Sequence, residues 1–242
     1  MNPLPKEISA NANSISIHYK RDIMNDKNSY IQEMNKAKAI LASNPAQKER
    51  HEALMDLCCG CVLVAEKNQE LNMEFENTAL MEEFMIYASE LEGYDHMINK
   101  LYEVCSRMDK TVYGHPRLMA RFKRFFRDVV YRIEAINGRE LSISEDLSRE
   151  ISKLETNIWY ADREEWDKIK SIGHLKSDPI EYSHRFEEVI DEVEKELYDH
   201  FKEEPRAMGF CFGYWSKKRE LLAERGIEWK TPGEMNPRVM FD

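Results

Sequence analysis

RLMARFKRFFRDVVYRIEAINGR, residues 117–139, carries the clearest structural signal in this chain. Its large apolar side chains return every three or four residues, which is the spacing of one face of an α-helix; they are Leu118, Phe122, Phe125, Val129, Ile133 and Ile136. Pro116 suits the first helical position, and Asn137-Gly138 suits a left-handed stop. The stretch predicts a long amphipathic helix from Pro116 to the Asn137-Gly138 step.

The same spacing extends in both directions, from about residue 17 to residue 225. Only 9 Gly and 8 Pro occur among 242 residues, so turns are few and the elements between them are long. Alternation with a period of two, typical of strands, occurs only in SISI at 14–17, which is too short to form a reliable strand. We therefore expect an all-α fold, an irregular array or bundle of about eight helices.

Three segments follow from the composition. Residues 1–16 are polar and contain two prolines, and we expect a flexible N-terminal arm there. Residues 17–225 form the helical domain, within which a sub-boundary would fall near 138–142. Residues 226–242, GIEWKTPGEMNPRVMFD, are unlike the helices and form a C-terminal tail.

The tail combines turn-forming residues with large apolar ones. Gly226 suits a left-handed helix stop, and Ile227 suits the apolar contact that accompanies such a stop. Trp229, Met235 and Phe241 would be costly to leave in water, and disordered segments are poor in such residues. We expect a non-helical tail that packs back on the helices or inserts into a partner.

Charge and composition exclude several classes of protein. The formal net charge is −10, which argues against binding nucleic acid over a broad surface. No run approaches 18 apolar residues, and the N-terminus lacks the apolar core of a secretory signal. Five cysteines do not suggest a disulfide framework. We expect a reduced, cytoplasmic protein that makes no membrane contact.

Short catalytic motifs are absent from the sequence. There is no Walker-type phosphate loop, no dinucleotide-binding glycine pattern and no nucleophile elbow. Cys58 and Cys61 form one C-x₂-C pair, but the second pair of a zinc site is missing. We interpret them as core residues, and Gly60 between them as a point of close helix approach. The expectation is no catalytic residue and no cofactor, and an enzyme is the less favoured class.

A metal- or ligand-dependent helical enzyme remains one alternative. Glu181-Tyr-Ser-His184 has the Glu-x-x-His spacing of helical di-iron sites, and Glu92 and His96 lie four apart elsewhere. The second Glu-x-x-His that such a site needs is missing. Glu181 also has a simpler role beside Asp178, because Asp178-Pro-Ile-Glu181 has the pattern of a helix-capping box.

Nucleic-acid binding through the basic helix 116–139 is the other alternative. Residues 117–139 hold seven Arg and Lys against two acids, and the candidate contacts are Arg117, Arg121, Lys123, Arg124, Arg127 and Arg132. The helix expected at 179–204 holds ten acids against three bases. We favour pairing of these opposite charges inside one molecule or at an interface over binding to a phosphate backbone.

The most aromatic stretch surrounds Gly209-Phe-Cys-Phe-Gly213, in a last helix that we expect Pro205 to open. Glycines four apart favour tight helix packing or a groove that accepts another segment. Our leading hypothesis is a non-enzymatic protein that acts through protein–protein interaction or self-association, with a protein partner or a second copy. The residues assigned to packing or interaction are Gly209, Gly213, Trp215, Trp229, Met235 and Phe241.

Overall fold

The computed structural model describes residues 6–91 and 94–241, with side chains from residue 22 onward. The described residues are mainly helical and contain no strand, which confirms the all-α prediction. No helix among them is long and apolar enough to cross a membrane. The helices are α1 (Lys6–Ala42), α2 (Gln47–Leu71), α3 (Asn77–Ser89), α4 (Ile98–Met108), α5 (Pro116–Asn137), α6 (Ser142–Ala161), α7 (His184–His200), α8 (Phe210–Glu224) and α9 (Pro232–Met235).

Helix α1 begins at Lys6, earlier than the sequence indicated. Residues 6–16, which we expected in the flexible arm, are its first three turns, and residues 1–5 lie outside the described part of the chain. The stretch 6–16 is polar but contains neither proline nor glycine, so nothing in it breaks a helix. The polar composition of this stretch therefore led us to predict a helix start that lies too late in the sequence.

A first apolar core lies between α1, α2, α3, α4 and α5. Helix α2 runs through its middle, and Leu57, Cys58 and Cys61 are fully buried there. Burial raises the pKa of the Cys61 thiol to about 12, so this thiol stays neutral and apolar in character at ordinary pH. The interpretation of the cysteines as core residues agrees with this packing.

Gly60 lets α1 approach α2. A Cβ atom on Gly60 would overlap the Cγ of Met34 and lie 2.9 Å from its Sδ. Met34 is itself buried and belongs to the first core. The close approach that the sequence predicted at Gly60 is therefore made by a side chain of α1.

A second, smaller core joins α7, α8 and the start of the tail; it contains Phe186, Ile190, Val193, Leu197, Leu221, Leu222, Ile227 and Trp229. The two cores meet at the start of α5. Glu187 of α7 accepts hydrogen bonds from the backbone N–H groups of Arg117 and Leu118, at 3.2 and 3.1 Å. His115 Nε2 lies 2.9 Å from Asp191 Oδ1, also on α7. Residues 138–142, where we placed a sub-boundary, connect two helices that pack against each other, α5 and α6.

The tail packs back on the helices, as the sequence predicted. Gly226 adopts a left-handed conformation with φ of +70°, and Ile227 N donates to Leu222 O at 2.9 Å. The expectation of a wholly non-helical tail was wrong, because Pro232–Met235 form α9. Thr231 and Glu234 make a capping box at the start of α9. The sequence Thr-Pro-Gly-Glu has the Thr-x-x-Glu spacing that predicts such a box.

Candidate functional site

Helix α8 rests on α7 along one side only. Leu221 and Leu222 are buried in the second core, while the hydroxyl of Tyr214 donates to Glu194 of α7. Lys218 Nζ bonds the other oxygen of Glu194 at 2.5 Å. Burial, together with the Glu194 charge, raises the pKa of Tyr214, so this phenol stays protonated and holds its hydrogen bond.

The tail covers a second side of α8. The rings of Trp215 and Phe241 meet edge to face with their centroids 5.0 Å apart. Gly233 of α9 lies under the same indole, since a Cβ there would be 3.6 Å from Cζ3 of Trp215. Asn236 fixes the tail beyond α9 through two hydrogen bonds of 2.8 Å with the backbone of Lys176.

The remaining side of α8 and the end of the tail form an exposed apolar surface. We define the α8–tail surface as Met208, Phe212, Trp215, Val239, Met240 and Phe241. Trp215 and Phe241 are partly covered by each other, whereas the other four side chains face solvent. The exposed fractions are 90% for Met208, 55% for Phe212, 44% for Val239 and 91% for Met240.

Gly209 and Gly213 lie beside Phe212 on this surface and do not pack tightly. No described atom lies within 4 Å of a Cβ built on either glycine. Of the two alternatives that we gave for this pair, tight helix packing or a groove that accepts another segment, tight packing does not occur among the described residues. Helix α8 begins at Phe210 rather than at Pro205, because the left-handed Gly209, with φ of +85°, separates it from the preceding turn. Open space above both glycines adjoins an exposed phenylalanine.

The basic side chains of α5 mostly pair with acids of the same chain. Asp162 and Glu187 lie against Arg117, and Glu82 lies against Arg121. The other pairs are Lys123 with Asp109 and Glu150, Arg124 with Glu155, Arg132 with Asp95, and a longer contact of Arg127 with Asp128. Internal pairing was the interpretation that we favoured. However, the acids come mainly from α3, from α6 and from the residues that flank α4, and of the six bases Arg117 alone pairs with α7.

Lys123 is the most deeply buried of these basic side chains. Its Nζ lies 2.7 Å from Asp109 Oδ1 and 2.8 Å from Glu150 Oε2, and its side chain is buried. Burial alone would lower the pKa of this amine, but Asp109 and Glu150 outweigh it, so the pKa is raised. A charged amine held in this way is already neutralised and is not free for a phosphate.

The four residues of the metal alternative do not converge. Glu181 is partly buried and accepts a hydrogen bond from Trp229 Nε1, whereas His184 is exposed and pairs with Glu188 at 3.2 Å. Ser183 between them is extended, so the i, i+3 spacing does not place both on one helix face. His96 lies beside the ring of Tyr94, and Glu92 falls outside the described residues. Within residues 22–91 and 94–241 no three His, Cys, Asp or Glu side chains are grouped to hold a metal ion.

The sequence pattern missed the exposure of the four side chains that dominate the α8–tail surface. We expected tight packing or a groove around Gly209 and Gly213 and a tail packed back on the helices, and neither expectation identified these four side chains as exposed. Gly209 directly after Met208 is a partial signal, because a glycine can separate a residue from the helix that follows it. Pro237-Arg238 gives a similar signal, because a charged residue directly precedes Val239.

No protein-family model matches this chain, and neither does any curated protein or solved structure.

Proposed function

We propose that this protein acts by binding another protein chain through the α8–tail surface, as a non-enzymatic interaction protein. The observation that carries the proposal is the set of four large apolar side chains, Met208, Phe212, Val239 and Met240, left in solvent around the start of α8 and on the adjoining tail. Apolar surface gains free energy when it leaves water, so an exposed group of this kind favours association.

The size of the surface supports this reading. A fully exposed side chain of this size has about 180 Å², so the four fractions amount to roughly 500 Å². Contiguous apolar patches of about 300–600 Å² are the largest on ordinary monomers and are often functional. Other exposed apolar side chains, such as Ile86 and Tyr113, lie on separate elements.

The composition and rigidity of the surface suit an interface. Aromatic residues and methionine are enriched where proteins bind each other. Trp215 is held between Phe241 and Gly233, and the tail is fixed by Asn236. Since Trp215 and the tail are already held in place, they lose little conformational entropy when a partner binds.

The other two functions receive less support. Arg117, Arg121 and Lys123 already pair with carboxylates, so a phosphate backbone would have to displace those acids. Glu181 and His184 face different partners, which leaves the metal alternative without a ligand set. We place the protein in the cytoplasm, and its five free cysteines support a reducing compartment.

Site-specific photo-crosslinking in living cells tests the proposal. A benzophenone side chain at position 212 should yield a discrete crosslinked protein product, because a partner covers Phe212. The same group at position 86 is the control, since Ile86 is 62% exposed on α3, away from the surface. Equal, unspecific crosslinking at both positions, or none at 212, would overturn the proposal.

A further inference from the structure

We infer that the partner at the α8–tail surface is a second copy of this chain, in a two-fold contact that pairs α8 with α8. This inference rests on the proposed function and adds the identity of the partner. Three features of the surface carry it: its shape, its area and its charge.

The shape of the surface is self-complementary. Phe212 is exposed between Gly209, the residue that precedes α8, and Gly213 in its first turn, and both glycines have open space above them. A two-fold contact places the same patch of both copies face to face. Each copy then offers a ring and a flat glycine strip, so that the Phe212 ring of one copy covers the glycines of its partner.

The area of the surface matches a dimer interface. A stable protein–protein contact covers about 800 Å² per partner. In homodimers about 65% of that area is apolar, which is about 520 Å² per chain. The exposed apolar area of the surface, roughly 500 Å², is close to this value. The exposed apolar area is therefore of the order that a contact between two copies needs.

The charges around the surface permit two copies to meet. Residues 201–242 hold eight Lys and Arg against seven Asp and Glu, which gives this segment a net charge of +1. Since the whole chain has a net charge of −10, residues 1–200 have a net charge of −11. On α8 itself, Lys217 pairs with Glu220, Lys218 with Glu194 and Arg219 with Glu234. Two chains of net charge −10 repel each other least through this near-neutral segment, in which Arg206 and Arg238 are the exposed bases beside Met208 and Val239.

Sedimentation velocity of the purified full chain over a range of concentrations tests the inference. The wild-type chain should form a dimer, and Phe212→Glu and Gly213→Glu should each weaken the dimer at least tenfold. Gly213→Glu protects the test against misfolding, because glutamate is a better helix former than glycine and meets no atom within 4 Å there. Ile86→Glu adds the same charge on α3 and should leave the dimer unchanged.

The outcomes separate the inference from the proposed function. A wild-type chain that stays monomeric, or a dimer that neither surface variant weakens, overturns the second copy as partner. If a crosslink from position 212 in cells then has a mass other than that of two chains, the interaction function stands with a different partner. Absence of that crosslink overturns the proposed function as well.

Discussion

The indole N–H of Trp229 donates to Oε1 of Glu181 at 2.8 Å, and this bond joins the tail to the start of α7. Trp229 is almost fully buried, and Lys218 Nζ lies 5.2 Å from the centre of its ring. Lys230 N extends the attachment by donating to Asp178 Oδ2 at 2.6 Å. The tail is thus held by a buried aromatic residue together with hydrogen bonds to both carboxylates of the Asp178–Glu181 turn.

Trp229→Ala should destabilise the folded chain by about 3–5 kcal/mol, because it removes a buried indole and leaves Glu181 without its donor. Urea unfolding followed by circular dichroism measures the loss. Met240→Ala is the matched control in the same tail, since its side chain is exposed, and it should change stability by less than about 0.5 kcal/mol. Similar losses for both variants would show that the tail is not anchored through Trp229.

Glu181→Gln should change how stability depends on pH. Burial raises the pKa of Glu181, with the Trp229 hydrogen bond opposing it, so the folded state holds this proton longer than the unfolded state. Wild-type stability therefore falls as pH rises from about 4.5 through the raised pKa. Gln keeps an acceptor for Trp229 and does not ionise. The free energy of unfolding of the variant, relative to that of the wild type, should therefore increase as pH rises through this range. Urea titrations at several pH values measure this difference in stability. If the variant loses stability relative to the wild type as pH rises, the pKa of Glu181 is not raised in the folded chain.

Alanine at two glycines should have opposite effects. Gly213→Ala should stabilise the monomeric chain by up to about 1 kcal/mol, because alanine is the better helix former and the space there is open. Gly60→Ala should destabilise it by about 1–2 kcal/mol, because the new methyl group meets buried Met34. Thermal melts of both variants, in dilute protein, decide the matter. A stabilising Gly60→Ala would mean that α1 and α2 are not in close contact there.

Two ion pairs of α5 should differ in strength. Lys123→Met should cost about 2–3 kcal/mol, because it leaves Asp109 without its cation in a partly buried site. Arg121→Met should cost less than about 0.5 kcal/mol, since Arg121 and Glu82 are both about half exposed. Urea unfolding of the two variants in the same buffer compares them. Equal costs would mean that Lys123 is not buried between its acids.

The extent of α5 could be predicted from sequence because three signals agree. Its apolar period, Pro116 at the start and Gly138 at the stop all point to one helix, and the structure places α5 at Pro116–Asn137. The start of α8 could not be predicted in this way. Pro205 and Gly209 can both mark a helix boundary, and only the backbone conformation shows that the helix begins directly after Gly209.

The partners of the charged residues depend on which helices are neighbours in space. Sequence charge alone favoured the acidic stretch 179–204 as the partner of α5, yet most partners come from α3, from α6 and from the residues that flank α4. The α8–tail surface was predicted only in part, for the same reason. Trp215 and Phe241 were assigned to it, but the side left open by α7 and the tail emerges only from packing.

Methionine oxidation mapped by mass spectrometry, in dilute purified protein and in intact cells, tests most directly whether a partner covers the α8–tail surface. Met208 and Met240 are at least 90% exposed, and half-buried Met119 on α5 serves as the internal reference. A covered surface predicts that oxidation of Met208 and Met240, relative to Met119, falls several-fold in cells. The same ratio in cells and in dilute protein would contradict an interaction through this surface.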